Sequence, residues 1–215
     1  MKSPFSLLVL LICISCNQRP DSSASSANVK KDSTVNKETE NLSTKLETLD
    51  DIKKEHNAIL SGIKDGSIDS VAYQYNCHEE KRGTITFFKK EEHLQMVKHS
   101  YGEYDHHEAS DQYFVKDSAL FFVFLKQLYW SFDSASPEEG GTQDKITEKR
   151  IYILNGQAMQ CLEKNYVELS YSKTNPNPAT IANKEVKCTS LKPIKTEFEK
   201  LLMFEKNKGK GCPFD

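Results

Sequence analysis

Arg150-Ile-Tyr-Ile-Leu154, then Asn155-Gly156, then Gln157-Ala-Met-Gln-Cys-Leu162 is the stretch whose reading decides the fold. Strand-forming residues flank an Asn-Gly pair, and a two-residue loop of that composition favours a type I′ turn because both central positions need positive φ. The stretch is therefore an antiparallel hairpin. Moving toward the N-terminus, Ala119-Leu-Phe-Phe-Val-Phe-Leu125, extended to Trp130, contains six consecutive apolar residues from Leu120. Such a run predicts a central strand covered on both faces, and the core is expected there. Lys116-Asp-Ser118 is short enough to join it as a hairpin to Ser110-Asp-Gln-Tyr-Phe-Val115.

Farther upstream lie Leu94-Gln-Met-Val-Lys-His-Ser-Tyr101, the pair Ile85 and Phe87 alternating with Thr84 and Thr86, and the alternating set Val71, Tyr73, Tyr75 and Cys77. A period of two is the mark of half-buried strands. Before them the period is helical. Leu46, Leu49, Ile52, His56, Ile59, Leu60 and Ile63 form one apolar stripe over 44–64, with Ser43 as N-cap and Gly66 as stop. On the other side of the opening hairpin, Ile194, Phe198, Leu201, Leu202 and Phe204 predict a final helix entered through Pro193. Residues 133–144 and the Asn175-Pro-Asn-Pro178 stretch read as exposed loops. The expected fold is α+β: an N-terminal helix, an antiparallel meander of about six to seven strands, and a C-terminal helix.

One domain over 44–206 accommodates all of this, with 207–215 a loose tail unless Cys212 ties it down. Residues 17–43 are almost entirely Ser, Asn, Lys, Thr, Glu and Asp, too polar to offset chain entropy by burial, so 16–43 reads as a tether. Lys and Arg total 29 against 31 Asp and Glu, a formal charge of −2, so the basic excess that marks nucleic-acid binding is missing. Nucleic acid is not an expected partner.

The first sixteen residues carry Lys2, an apolar run from Phe5 to Ile12, then Cys13-Ile-Ser-Cys16. The run is about half the ~20 residues that cross a bilayer as a helix, which fits an export signal over 1–15. A basic residue, a short apolar run and small Ser15 before Cys16 resemble a bacterial lipoprotein signal, although Cys13 stands where that family usually has Leu. The resemblance implies that Cys16 is lipidated and anchors the chain to the lipid bilayer. Asn17 in place of Asp implies sorting to the outer membrane, facing the periplasm. The alternation of aromatic strands and short turns broadly resembles small lipoproteins of Bacteroidota. Those bacteria glycosylate exported proteins at Asp followed by Ser or Thr and a small or aliphatic residue. Of the four matching triplets, those at Ser33 and Ser134 fall in the tether and a loop, where an enzyme could reach them.

In an exported chain, Cys77, Cys161, Cys188 and Cys212 admit three disulfide pairings. Pairing Cys77 with Cys161, both at strand positions, and Cys188 with Cys212, which clips the last helix, is the expectation; free thiols are the alternative. No Cys-x-x-Cys pair suggests zinc. The segment 99–108 gathers His99, His106 and His107 with three carboxylates, residue types that bind transition metals. Adjacent strand residues point to opposite faces, so His106 and His107 do not readily share an ion, and no metal or other cofactor is assigned. Ser61-Gly-Ile-Lys64 matches Ser-x-x-Lys, but its Lys-Thr-Gly partner is lacking, and no catalytic residue is assigned. Tyr73, Tyr75, Phe87, Tyr101, Tyr104, Tyr113, Tyr129, Trp130 and Tyr152 serve either sheet packing or an exposed recognition face. The function these readings favour is a non-enzymatic binding or accessory module for an envelope protein or glycan. A small metal-dependent envelope hydrolase using 99–108 is the alternative.

Overall fold

The computed structural model describes residues 45–214. The signal segment, Cys16, the tether with Ser33, and the expected cap Ser43 lie outside the described residues. Helix α1 (Leu49–Asp65) is followed by β1 (Asp69–Cys77), β2 (Lys81–Lys90), β3 (His93–Glu103), β4 (His107–Lys116), β5 (Ala119–Phe132), β6 (Thr142–Leu154), β7 (Gln157–Leu169), β8 (Lys184–Val186) and helix α2 (Lys192–Lys206). The strands form one antiparallel sheet in chain order, each paired with the next. The meander has eight strands, not six or seven. The eighth is a three-residue exposed strand, too short to show any periodicity in sequence.

Local chemistry sets the corners. Asn155 and Gly156 have φ of 50° and 74°, the left-handed pair that the Asn-Gly signature demands. Asp117 and Ser118 at 49° and 64° make the same turn without glycine. Helix α1 starts five residues later than its apolar stripe suggests. Thr48 caps it by accepting from the Asp51 amide at 3.1 Å, while the Asp51 carboxylate takes the Thr48 amide at 3.0 Å. This reciprocal capping box satisfies the Asp51 amide, one of the four that a helix start leaves open, together with the Thr48 amide.

Cross-strand register divides the side chains into two layers. Phe87, Val97, Tyr113, Val123, Ile151 and Cys161 are successive partners in one row across the sheet. Phe198, Leu201 and Phe204 of α2 pack on that face. Met96, Phe114 and Phe122 occupy the opposite face, under Ile52 and Ile59 of α1. The apolar run in β5 is thus covered on both sides, Phe121 and Phe122 by α1 and Val123 by the α2 cluster, as its composition predicts. The fold is an α/β/α sandwich with a meander as its middle layer.

The disulfides differ from the expected pairing. Cys77 ends β1 and Cys161 lies in β7, six strand spacings away, or about 29 Å at ~4.8 Å per strand, whereas a disulfide needs Cα atoms within about 7 Å. Cys77 pairs instead with Cys212 (Cα–Cα 5.2 Å), and Cys161 with Cys188 (5.3 Å). The C-terminal tail is therefore held to the α2 face, and the segment carrying β8 to the opposite edge of the sheet.

Candidate functional site

The three histidines of 99–108 do not converge. His99 is fully buried in β3, its ring stacked on Tyr101 (4.3 Å between centroids) and on Phe214 of the tail (5.4 Å), with Nε2 hydrogen-bonded to the Tyr75 hydroxyl at 2.7 Å. His107 stacks on Tyr129 at 4.3 Å and meets Tyr101 edge-on. His106 sits in the turn before β4, against the Trp130 ring at 4.1 Å. Tyr101 stands between His99 and His107, and neighbouring positions at the start of β4 send His106 and His107 to different aromatic partners. Among the described residues no group of three His, Cys, Asp or Glu side chains is placed to hold a metal. Ser61 is exposed on α1, and Ser134 is exposed in the turn after β5.

Sequence reading does not find the group that accompanies His99. Asp111 is its register partner on β4, buried on the same face, with Oδ1 unpaired; Nδ1 of His99 is unpaired as well. Burial, reinforced by the positive charge of Lys81, pushes His99 down to about 3. Burial, with the carboxylate of Glu197 on α2 adding to it, pushes Asp111 up to about 7. Tyr75, Tyr101 and Tyr113 are all driven upward by burial and remain phenols. Lys81 spans the Tyr101 and Phe214 rings at 4.2 Å from each. The tail thus seals a set of largely neutral polar groups, and a solute has no route to His99 while Phe214 stays in place.

The opposite face carries a different arrangement. Glu148 and Lys164, register partners on β6 and β7, are 6% and 7% exposed, yet both belong to an ion-pair cluster. Glu148 accepts from Arg150 at 3.0 Å and from the Tyr166 hydroxyl at 3.1 Å, and pairs with Lys164 at 3.2 Å. Burial opposes ionisation of Glu148, but these hydrogen bonds outweigh it and hold the carboxyl below its usual range. Lys164 also donates to the carbonyl of Pro178 at 2.6 Å, and Arg150 to Asn183 at 2.8 Å, so the 175–183 connection roofs the cluster. From there a cleft of about 440 Å³ runs along the Lys53, Asn57 and Leu60 side of α1, over Phe122, Phe124 and Tyr152. Helix α1 supplies one wall, and Gln112 of β4 with residues of β5 and β6 supplies the rest. His56, held low by its burial in the same wall, packs on Phe114 and Phe122 at 4.7 and 4.9 Å.

The aromatics divide accordingly. Tyr75, Phe87 and Tyr113 are core. Tyr104, Tyr129 and Phe132 are 70%, 52% and 68% exposed at one end of the sheet: Phe132 lies on the Trp130 face of β5, Tyr129 on the other face against His107, and Tyr104 in the turn before β4. The Trp130 indole N–H donates to the Asp105 carbonyl and its ring meets Phe132 edge-on at 5.7 Å, which braces this aromatic pair. No helix among the described residues is long and apolar enough to cross a membrane. The chain matches no protein family, no curated protein and no solved structure.

Proposed function

We propose that this chain is an envelope lipoprotein, anchored to the outer membrane through lipidated Cys16, whose folded domain is a non-enzymatic binding module. Its partner is an envelope protein that docks on the aromatic end of the sheet. The observation that carries the reading is the exposure of Phe132 beside a braced Trp130, with Tyr104 exposed in the turn at the same end of the sheet. Rigid aromatic side chains with a polar handle give large contact area at small entropic cost, the composition of interface hot spots. The burial of His99 beneath Phe214 argues in the same direction, because the imidazole of the His-rich segment that is most buried is closed to substrates.

Two experiments in the native envelope test this. Cys16→Ala is expected to move the protein from the membrane fraction to the soluble fraction and remove the mass of its acyl chains; unchanged partition would overturn the anchor. A photo-crosslinking residue at Phe132 is expected to give one adduct of defined mass, lost on Tyr104→Ala and absent when the crosslinker stands at exposed Lys187. A sugar adduct would replace the protein partner with a glycan. No adduct, or the same adducts from both positions, would remove the aromatic end as a docking surface.

A further inference from the structure

We infer that the cleft between α1 and the sheet is a second, independent binding site, for a small amphipathic carboxylate whose apolar body lies on Phe122, Phe124 and Tyr152 and whose anionic end meets Arg150. Its volume of about 440 Å³ falls within the ~300–1,000 Å³ typical of small-molecule sites. The floor is aromatic, with Phe122 and Tyr152 5.0 Å apart between ring centroids, and Leu60 forms part of the wall.

The charge of the site selects the ligand. Arg150, which lines the cleft, shares the single carboxylate of Glu148 with Lys164, so this group of three carries one positive charge in excess. No Asp or Glu lines the cleft itself. Lys53 at the mouth is already paired with Asp50 at 3.1 Å, and Glu185 on β8 accepts from Gln160. One uncompensated positive charge beside a half-buried apolar surface is more costly than one paired with an anion. Arg150 is also held for the task. Its guanidinium lies 4.8 Å over the Phe124 ring, with one nitrogen on Asn183 and another on Glu148, so little side-chain freedom is lost when an anion arrives.

The test uses the Cys16→Ala chain with both disulfides formed, titrated with decanoate, decanol and acetate by calorimetry, and followed by NMR at the His56 ring. Decanoate is expected to bind saturably at least tenfold more tightly than decanol, shifting the His56 signals, while acetate does not bind. Arg150→Gln should bring decanoate to the affinity of decanol, with Arg150→Lys between. Leu60→Trp, on an exposed helix position, should weaken both alkyl ligands without unfolding the chain. Equal binding of decanoate and decanol, no saturable binding, or decanoate binding that survives Leu60→Trp would overturn the inference. None of these results depends on the aromatic end, so the two sites stand or fall separately.

Discussion

Asp111→Asn is expected to leave stability unchanged near pH 4 and to raise it progressively toward pH 8. The carboxyl is buried and unpaired at Oδ1, and its pKa lies near 7 in the fold against an ordinary value of 3.8. Well below pH 3.8 it is protonated in both folded and unfolded chains, so it does not discriminate between them, and near pH 4 the difference is still small. As pH rises the unfolded chain releases its proton first, the folded chain retains it, and stability falls until the folded group also ionises near pH 7. The interval of roughly three pH units, at about 1.4 kcal/mol each, amounts to about 4 kcal/mol. Asparagine keeps the shape and cannot ionise, so the variant avoids that loss. His99 has the reverse sign: its pKa of about 3 lies below its ordinary 6.5, so its contribution is complete above pH 6.5 and lost as pH falls toward 3. Wild-type stability should therefore be nearly flat between about pH 4.5 and 6, where the two slopes oppose each other. His99→Gln should show the Asp111 slope alone, declining with pH. Urea unfolding at pH 4, 5, 6, 7 and 8 is the assay; a difference of about 4 kcal/mol moves the midpoint by roughly 2 M at an m-value near 2 kcal/mol/M. A wild-type to Asp111→Asn difference that stays constant across this range would refute the reasoning.

Four further outcomes are expected. Non-reducing peptide mapping should recover Cys77 with Cys212 and Cys161 with Cys188; the chain-entropy relation assigns about 5 and 3.5 kcal/mol to loops of 135 and 27 residues. Opening the first by Cys212→Ser frees Phe214, and NMR titration should then show the pKa of His99 rising toward its ordinary value. Leu201→Ala, at a fully buried position where α2 meets the sheet, should cost about 2–5 kcal/mol in denaturant melts with no change in the disulfides. Glu148→Gln leaves Arg150 and Lys164 without their carboxylate and should lower stability by about 3–5 kcal/mol at pH 7, an effect that vanishes if the cluster is solvated.

The fold was largely legible because its signals are local. Asn155-Gly156, the apolar run of β5 and the three- and four-residue steps of the helices each specify one element without reference to the rest. The polar clusters were hidden because they depend on register. Counting outward from Asn155-Gly156 places Glu148 opposite Glu163, a repulsive pair that suggests nothing. The structure carries a bulge between Tyr152 and Ile153 that shifts the count by one and brings Lys164 opposite Glu148. A similar shift separates Phe114 from Val115 and sets which β5 residues flank Asp111. The disulfides failed for a related reason. Their pairing follows from strand order, and two cysteines at strand positions are no nearer each other than the strands that carry them.

The two buried polar groups of this sheet have opposite fates, and the difference indicates where ligand chemistry can occur. Around His99 the tail and α2 exclude water, so desolvation favours the neutral form of both His99 and Asp111. A neutral, sealed cluster has no field to offer a ligand and acts on folding alone. Around Glu148 burial also opposes the charge, yet three donors outweigh it and the carboxyl is held below its usual range. Persistent charge is tolerable there because each member has a partner, and of the three only Arg150 reaches the wall of the cleft, where an anion can add to its pairing. That asymmetry is geometric: the disulfide-held tail covers His99, whereas a cleft stays open between α1 and Arg150 and Tyr152 of β6. Lengthening the cover over β6, as Leu60→Trp begins to do, should move the second cluster toward the behaviour of the first, which ties the stability of Glu148 to occupancy of the cleft.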